Sequence, residues 1–259
     1  MKNQSEKAAG FRALHERARA FIIPNPWDVG TAKMLEALGF EALASTSAGF
    51  AQSIGKIDGA VDRDTMLAHV TQLAAATDLP MSADLENGYA DEPAGVAETV
   101  RLAAAAGLCG CSIEDLPLGR AGGPYEIAYA AERIRAAAEA AHALPFPFTL
   151  TARAENFIAG HPDLADTIAR LQAFQEAGAD VLYAPGLRTK KDIATVVRSV
   201  DRPVNVLMGL RGMQLNLADL SALGVKRVSV GSALSSAAHN AALKVATEMR
   251  DHGTFTLLT

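Results

Sequence analysis

Short apolar runs alternate with Ala-rich stretches of helical period from one end of the chain to the other. The runs are Phe21–Pro24, Ala42–Ser45, Met81–Asp84, Gly110–Glu114, Phe148–Arg153, Val181–Ala184, Val204–Met208 and Arg227–Gly231. They read as near-continuous apolar segments, as parallel strands covered on both faces do. The stretches between them carry helix punctuation. Thr31 to Leu38 ends at Gly39, and Pro93 opens a helix that stops at Gly107. Another helix stops at Gly178, and Leu217 to Leu223 stops at Gly224. Pro in a first turn and Gly past an end are expected helix boundaries. About eight strands with helices between them predict a (β/α)8 TIM-type barrel. The chain has 259 residues, near the roughly 250 of such a barrel, so one domain over residues 1–259 is expected.

Composition narrows the class. The chain is 49% hydrophobic and 20% charged, with a net charge of −5. Its Lys and Arg are scattered, which gives no reason to expect a nucleic acid or an anionic membrane as partner. No uncharged stretch approaches the roughly 20 residues of a membrane span. The first ten residues lack the apolar core of a signal peptide. Cys109 and Cys111 are too close along the chain for a usual disulfide and read as small buried residues of a reducing cytoplasm. None of the six His residues lies in a metal-ligand pattern. His69, His142, His239 and His252 read as solvated positions on helices or the tail.

Chemistry gathers where strands end. Asp84 and Glu86 flank Leu85, and strand alternation points both acids to one side. Glu114 and Asp115 close the next strand, and Asp58 sits in the Gly-rich loop Gly55–Gly59. Taken singly, each acid also reads as a helix cap or a surface charge. Together they lie in successive loops on the working face of a barrel and suit Mg2+, which keeps several waters and takes one or two carboxylates directly. Ser45-Thr-Ser-Ala-Gly-Phe50 reads as a small-residue turn whose amides approach an anion, or as an ordinary turn. Arg153 offers a bidentate fork for a carboxylate, or a structural pair for Glu155. Asn205, Gly231 and Ser232 are candidates to finish an anion pocket, and Trp27 reads as rim packing or pocket lining.

Six segments occur in order: Asn25-Pro-Trp-Asp-Val-Gly30, Ser45-Thr-Ser-Ala-Gly49, Asp84-Leu-Glu-Asn-Gly88, Ser112-Ile-Glu-Asp115, Thr151-Ala-Arg153 and Pro203-Val-Asn205. Together they resemble the isocitrate lyase/phosphoenolpyruvate mutase superfamily over nearly the whole chain. The resemblance implies a (β/α)8 barrel, Mg2+ (with Mn2+ as a substitute) and a small 2-oxo acid or dicarboxylate. It implies C–C or P–C bond chemistry through an enolpyruvate-type intermediate, and a homodimer or homotetramer that exchanges a C-terminal helix. By position, Asp84 would hold the metal, with Glu86, Glu114 and Asp58 acting largely through water. Ser45, Thr46 and Ser47 would hold the substrate carboxylate and carbonyl, and Arg153 would bind the carboxylate. Ser47, Asp58 and Arg153 are then the expected catalytic residues, with Trp27 and Asn205 at the substrate.

The chain departs from the family at one loop. The lyase branch carries Lys-Lys/Arg-Cys-Gly-His there, and the mutase branch Lys and Asn. Here Asp115-Leu-Pro-Leu-Gly-Arg-Ala-Gly-Gly-Pro-Tyr125 has no Cys, Lys, His or Asn. Glu86 also stands where Asp is common. The decarboxylase- or hydrolase-like branch is therefore expected, acting on an oxaloacetate-like acid, with Arg120 or Tyr125 as candidate proton donors. A non-catalytic 2-oxo-acid binder, or a phosphonopyruvate or methylisocitrate enzyme, is the alternative.

Overall fold

The computed structural model describes residues 2–119 and 122–258. Eight parallel strands form the sheet: β1 Phe21–Ile23, β2 Leu43–Ala44, β3 Met81–Asp84, β4 Gly110–Glu114, β5 Thr149–Arg153, β6 Val181–Tyr183, β7 Val204–Leu207 and β8 Arg227–Ser229. Their order is β1-β8-β7-β6-β5-β4-β3-β2. The open ends, β1 and β2, meet through the Ala44 amide, which donates to the Pro24 carbonyl at 3.1 Å. Asn25 fastens the seam. Its Nδ2 donates to the carbonyls of Ala44 (3.1 Å) and Ser45 (3.0 Å), and its Oδ1 accepts from the amides of Val230 and Gly231 at 2.9 Å each. The result is a nearly closed (β/α)8 TIM-type barrel.

Helices cover the outside: α1 Gln4–Glu16, α2 Val29–Ala37, α3 Ser47–Ser53, α4 Arg63–Ala76, α5 Pro93–Ala105, α6 Ile127–His142, α7 Leu164–Glu176, α8 Lys190–Ser199, α9 Leu217–Ala222 and α10 Ala233–His252. Local chemistry fixes their ends. Asn3 and Glu6 form a capping box on α1, Asp28 and Asp62 cap α2 and α4, and Pro93 sits in the first turn of α5. The outward strand residues Ala83, Ile113, Leu150, Leu182, Val206 and Val228 pack with the helices into one core. A second cluster, with Phe11 and Leu14 of α1 against Phe21, Ile23 and Cys109, plugs the N-terminal end of the barrel.

The inner faces differ from the apolar pattern expected of strands buried on both sides. Ser82, Ser112, Asn205, Arg227 and Ser229 line the interior cavity, so apolar burial is confined largely to the outer layer. Both cysteines are free and buried. His69 is not solvated: its ring stacks on Phe50 with centroids 3.7 Å apart, because α4 turns it onto α3. The Ser45–Phe50 segment is not a simple turn, since Thr46 caps α3 and Ser47 opens it. Of α10 only Ser235 is buried, and Leu243 and Met249 are exposed together with Phe255, Leu257 and Leu258 beyond it. Among the described residues, no helix is long and apolar enough to cross a membrane.

Candidate active site

The C-terminal ends of β2 to β5 bring the acids together over a cavity of about 150 Å3. Asp84, the last residue of β3, is its hub. Its Oδ2 accepts from Ser47 Oγ at 2.9 Å and from the Ser47 amide at 3.3 Å. Its Oδ1 accepts from Arg153 Nη1 at 3.1 Å and from Ser112 Oγ at 3.4 Å. Its own amide donates to Ser45 Oγ at 3.0 Å. The start of α3 is thereby pinned to the end of β3.

Glu86 reaches the cluster by a route that alternation does not foresee. Strand geometry ends at Asp84, and Glu86 has φ of 51°. This left-handed conformation is uncommon for a residue with a Cβ. It turns the Glu86 carbonyl to accept from the Glu114 amide at 2.9 Å. Burial raises the Glu86 carboxyl to about 8, helped by Asp84 and Asp58. Burial raises Glu114 well above the usual range against the pull of Arg153. Asp58 belongs to an exposed loop, yet it lines the cavity, and desolvation and Asp84 push its carboxyl upward.

Arg153, at the end of β5, is the counter-charge. Its Nη1 lies 3.1 Å from both Asp84 Oδ1 and Glu114 Oε2, and its Nε donates to Glu155. Burial opposes its charge, but Glu155, Glu114 and Asp84 together hold its pKa well above the usual arginine value. The alternative reading of Arg153, a pair with Glu155, is therefore present in the fold, and the guanidinium serves three carboxylates at once.

The loop after β4 is stitched at its base. Tyr125 N donates to the Asp115 carbonyl at 2.8 Å. Arg170 Nη1 binds Asp115 Oδ2 at 3.1 Å and the Tyr125 carbonyl at 2.5 Å. Burial lifts Asp115 to about 6. Tyr125 does not face the cavity as a free acid, because its hydroxyl donates to Asp91 Oδ1 at 2.5 Å. Arg120 lies outside the described residues.

Ser45, Thr46, Ser47, Asn205, Gly231 and Ser232 line the cavity with Asp58, Asp84 and Arg153. Trp27 does not. The start of α2 directs it outward, into a separate cleft with Gln52 of α3 and His239 of α10. Sequence reasoning missed Tyr183 and Arg227, which line the same cavity. Their signal was polar residues within apolar strands: Tyr183 ends β6, and Arg227 and Ser229 alternate along β8.

Comparison with known proteins agrees with this fold. The phosphoenolpyruvate phosphomutase family matches residues 11–250. The solved structure of a lyase/mutase candidate from Burkholderia cenocepacia J2315 has 61% sequence identity and a TM-score of 0.96, covering 98% of this chain and 92% of that one. A phosphonopyruvate hydrolase solved with oxalate and Mg2+ has 26% identity and a TM-score of 0.86, over 96% of this chain and 89% of that one. Oxaloacetate decarboxylase of Paraburkholderia xenovorans is 28% identical over 229 residues, 86% of this chain and 74% of its own length.

Proposed function

This chain belongs to the phosphoenolpyruvate phosphomutase family, and on that premise we propose that it is a Mg2+-dependent enzyme that breaks a C–C bond in a small 2-oxo acid of the oxaloacetate type. One observation carries the reading: Asp84, Glu114 and Arg153 converge at one end of a small cavity. The donor set suits a hard divalent cation, being all oxygen and short of positive charge. Among the described residues, no three side chains stand in direct coordinating geometry.

Asp84 would hold Mg2+ or Mn2+, with Glu86, Glu114 and Asp58 engaging it through water. When bound, the cation supplies Lewis acidity toward the 2-oxo carbonyl. The remaining work falls to the chain itself. Arg153 would bind the substrate carboxylate through its guanidinium, which Asp84, Glu114 and Glu155 hold at the strand ends. The Ser47 amide and the hydroxyls of Ser45, Thr46 and Ser47 form the wall that orients the 2-oxo group. The C3–C4 bond of oxaloacetate then breaks, its electron pair passes into the enolate, and CO2 leaves. C3 takes a proton from water held on the Asp58 side, giving pyruvate. No step needs an acid on the leaving group, so the lack of Cys, Lys and His in Asp115–Tyr125 is no obstacle.

The same loop favours a second reading, a protein that binds 2-oxo acids without turnover. The exposed apolar side chains of α10 support assembly of copies through that helix.

An assay of the purified protein with oxaloacetate, phosphonopyruvate and methylisocitrate, with Mg2+ and with chelator, separates the readings. We expect chelator-sensitive pyruvate formation from oxaloacetate, abolished in Asp84→Ala. Release of pyruvate no faster than with free Mg2+ would remove the enzyme reading. Binding without turnover would establish the second one.

A further inference from the structure

Arg170 is a buried residue of α7 that holds two acids at once. Its Nη1 lies 3.1 Å from Asp115 Oδ2, and its Nε donates to Asp166 Oδ2 at 2.7 Å. Each acid in turn grips one of two consecutive residues just past β5. Asp115 Oδ1 accepts from the Glu155 amide at 2.9 Å, and Asp166 Oδ2 accepts from Asn156 Nδ2. Arg170 Nη1 also donates to the carbonyl of Tyr125, where the loop after β4 returns. The Asp115 carboxylate is thus a two-ended connector. One oxygen faces α7 and the other faces the end of β5, with 1% of the side chain exposed.

Glu155 carries this frame to the acid cluster. Its carboxylate accepts from Arg153 Nε, while Arg153 Nη1 is engaged by Asp84 and Glu114. A guanidinium is planar and its donors point in fixed directions. Gripping Nε and Nη1 therefore fixes its rotation and aims the remaining nitrogen, Nη2. If Glu155 turns, Nη2 turns with it. Arg153 lines the cavity and Arg170 does not. Any effect of Arg170 on a ligand must then pass through Asp115 or Asp166 to residues 155 and 156.

We propose that Arg170 is a positioning residue, which sets the direction of the Arg153 guanidinium through Asp115 and Glu155 and so tunes carboxylate affinity without touching the ligand. This inference rests on the reading of Arg153 as the carboxylate receptor. The cation in that reading centres on Asp84 of β3, which Ser45, Ser47 and Ser112 hold in place from other elements. Mg2+ affinity should therefore be spared when Arg170 is lost. An arginine with a purely structural role would lend stability and leave both affinities alone.

Calorimetric titration with oxalate in the presence of Mg2+ tests this, alongside thermal melting without oxalate across a range of Mg2+ concentrations. Arg170→Met should weaken oxalate about tenfold and move the Mg2+ midpoint by less than about twofold. Asp115→Asn keeps an oxygen for the Glu155 amide and turns an NH2 toward Arg170, which breaks the same chain at its next link. The double variant should lose no more than the larger single loss, since links in series fail only once. Three results would overturn the inference: unchanged oxalate affinity in folded Arg170→Met, equal losses of oxalate and Mg2+, or losses that multiply in the double variant. If Arg170→Met does not fold, Arg170→Lys takes its place. It keeps the charge beside Asp115 but lacks the fork to hold Asp166 as well, so about a threefold loss is expected and the same results overturn the inference. A wild type that does not bind oxalate with Mg2+ would instead remove the 2-oxo-acid reading. Crystal structures of the wild type and the variant without ligand then decide the role of Arg170. Glu155 turned off Arg153 Nε in the variant supports it, and Glu155 left in place overturns it.

Discussion

His15 shows how a single buried ring sets a pH response. Burial, then the nearby Arg227, lower it from 6.5 to about 3, and burial lowers His69 to about 4. In the unfolded chain both rings would protonate near 6.5. Below that pH the unfolded state binds more protons than the native one. The stability these rings contribute is therefore full above pH 6.5 and lost as pH falls through the acid range. By pH 5 the loss for His15 is about 2 kcal/mol. The raised site carboxylates act oppositely, because the native state retains their protons as pH falls. Urea unfolding of wild type and His15→Gln between pH 7 and 5 isolates the histidine part. The variant should show the shallower loss on acidification, and parallel curves would exclude His15 from this role. Neither ring announced itself in the sequence. His69 looked like a polar position on an exposed helix, and only the packing of α4 on α3 shows its stacking partner.

Between elements, Arg133 of α6 is the clamp. Its side chain is wholly buried and donates to the carbonyls of Asn87, Ala90 (2.8 Å), Asp91 (2.9 Å) and Glu114 (3.2 Å). Its guanidinium lies 4.3 Å from the Tyr125 ring centroid. One residue thus ties the loop after β3, the end of β4 and the base of the β4 loop, the segments that present Glu86 and Glu114. Arg133→Met keeps the bulk and removes the donors. It should cost about 3 kcal/mol in chemical denaturation, since buried carbonyls lose their hydrogen bonds. A loss within the range of an ordinary surface substitution, about 0.5 kcal/mol, would show that the clamp is dispensable. In the sequence, Glu132-Arg-Ile-Arg135 reads as helical surface charge, and nothing in its spacing separates Arg133 from Arg135. The strands were legible because their outward residues form apolar runs, and β3 and β4 begin and end where the runs do. The helix stops were legible because Gly107 and Gly178 adopt the left-handed backbone that closes α5 and α7. The entry to α3 was not, because Ser-Thr-Ser-Ala-Gly has no helical period and its order depends on Asp84 across the barrel. Asp84, Glu114 and Arg153 were readable as neighbours from their positions at strand ends. Glu86 was placed on the right cluster for the wrong reason, since its direction comes from a left-handed residue rather than from alternation.

At the scale of the whole molecule, the barrel concentrates repulsion at one end. Asp58, Asp84, Glu86, Glu114 and Glu155 surround the guanidinium of Arg153, within a chain already at net charge −5. Carboxyls raised by burial weaken the native state as pH rises through their titration, because folding then requires either holding a proton or burying a charge. On the proposed reading a divalent cation would remove that conflict only when the acids are assembled, so it would bind the native chain in preference to the unfolded one. Such a ligand at about a hundred times its Kd stabilises by about 2.7 kcal/mol. The melting temperature should therefore rise with Mg2+ or Mn2+ at neutral pH and return with chelator. Na+ at matched ionic strength should give little of the effect, because screening is a weak substitute for a cation in contact with the acids. Asp84→Asn should lose most of the rise while retaining the fold, since Asn keeps the shape, its Oδ1 can accept from Arg153 and its Nδ2 can donate to the Ser47 hydroxyl. An equal rise with Na+, or an undiminished Mg2+ effect in Asp84→Asn, would place the cation elsewhere and remove Asp84 as its principal ligand.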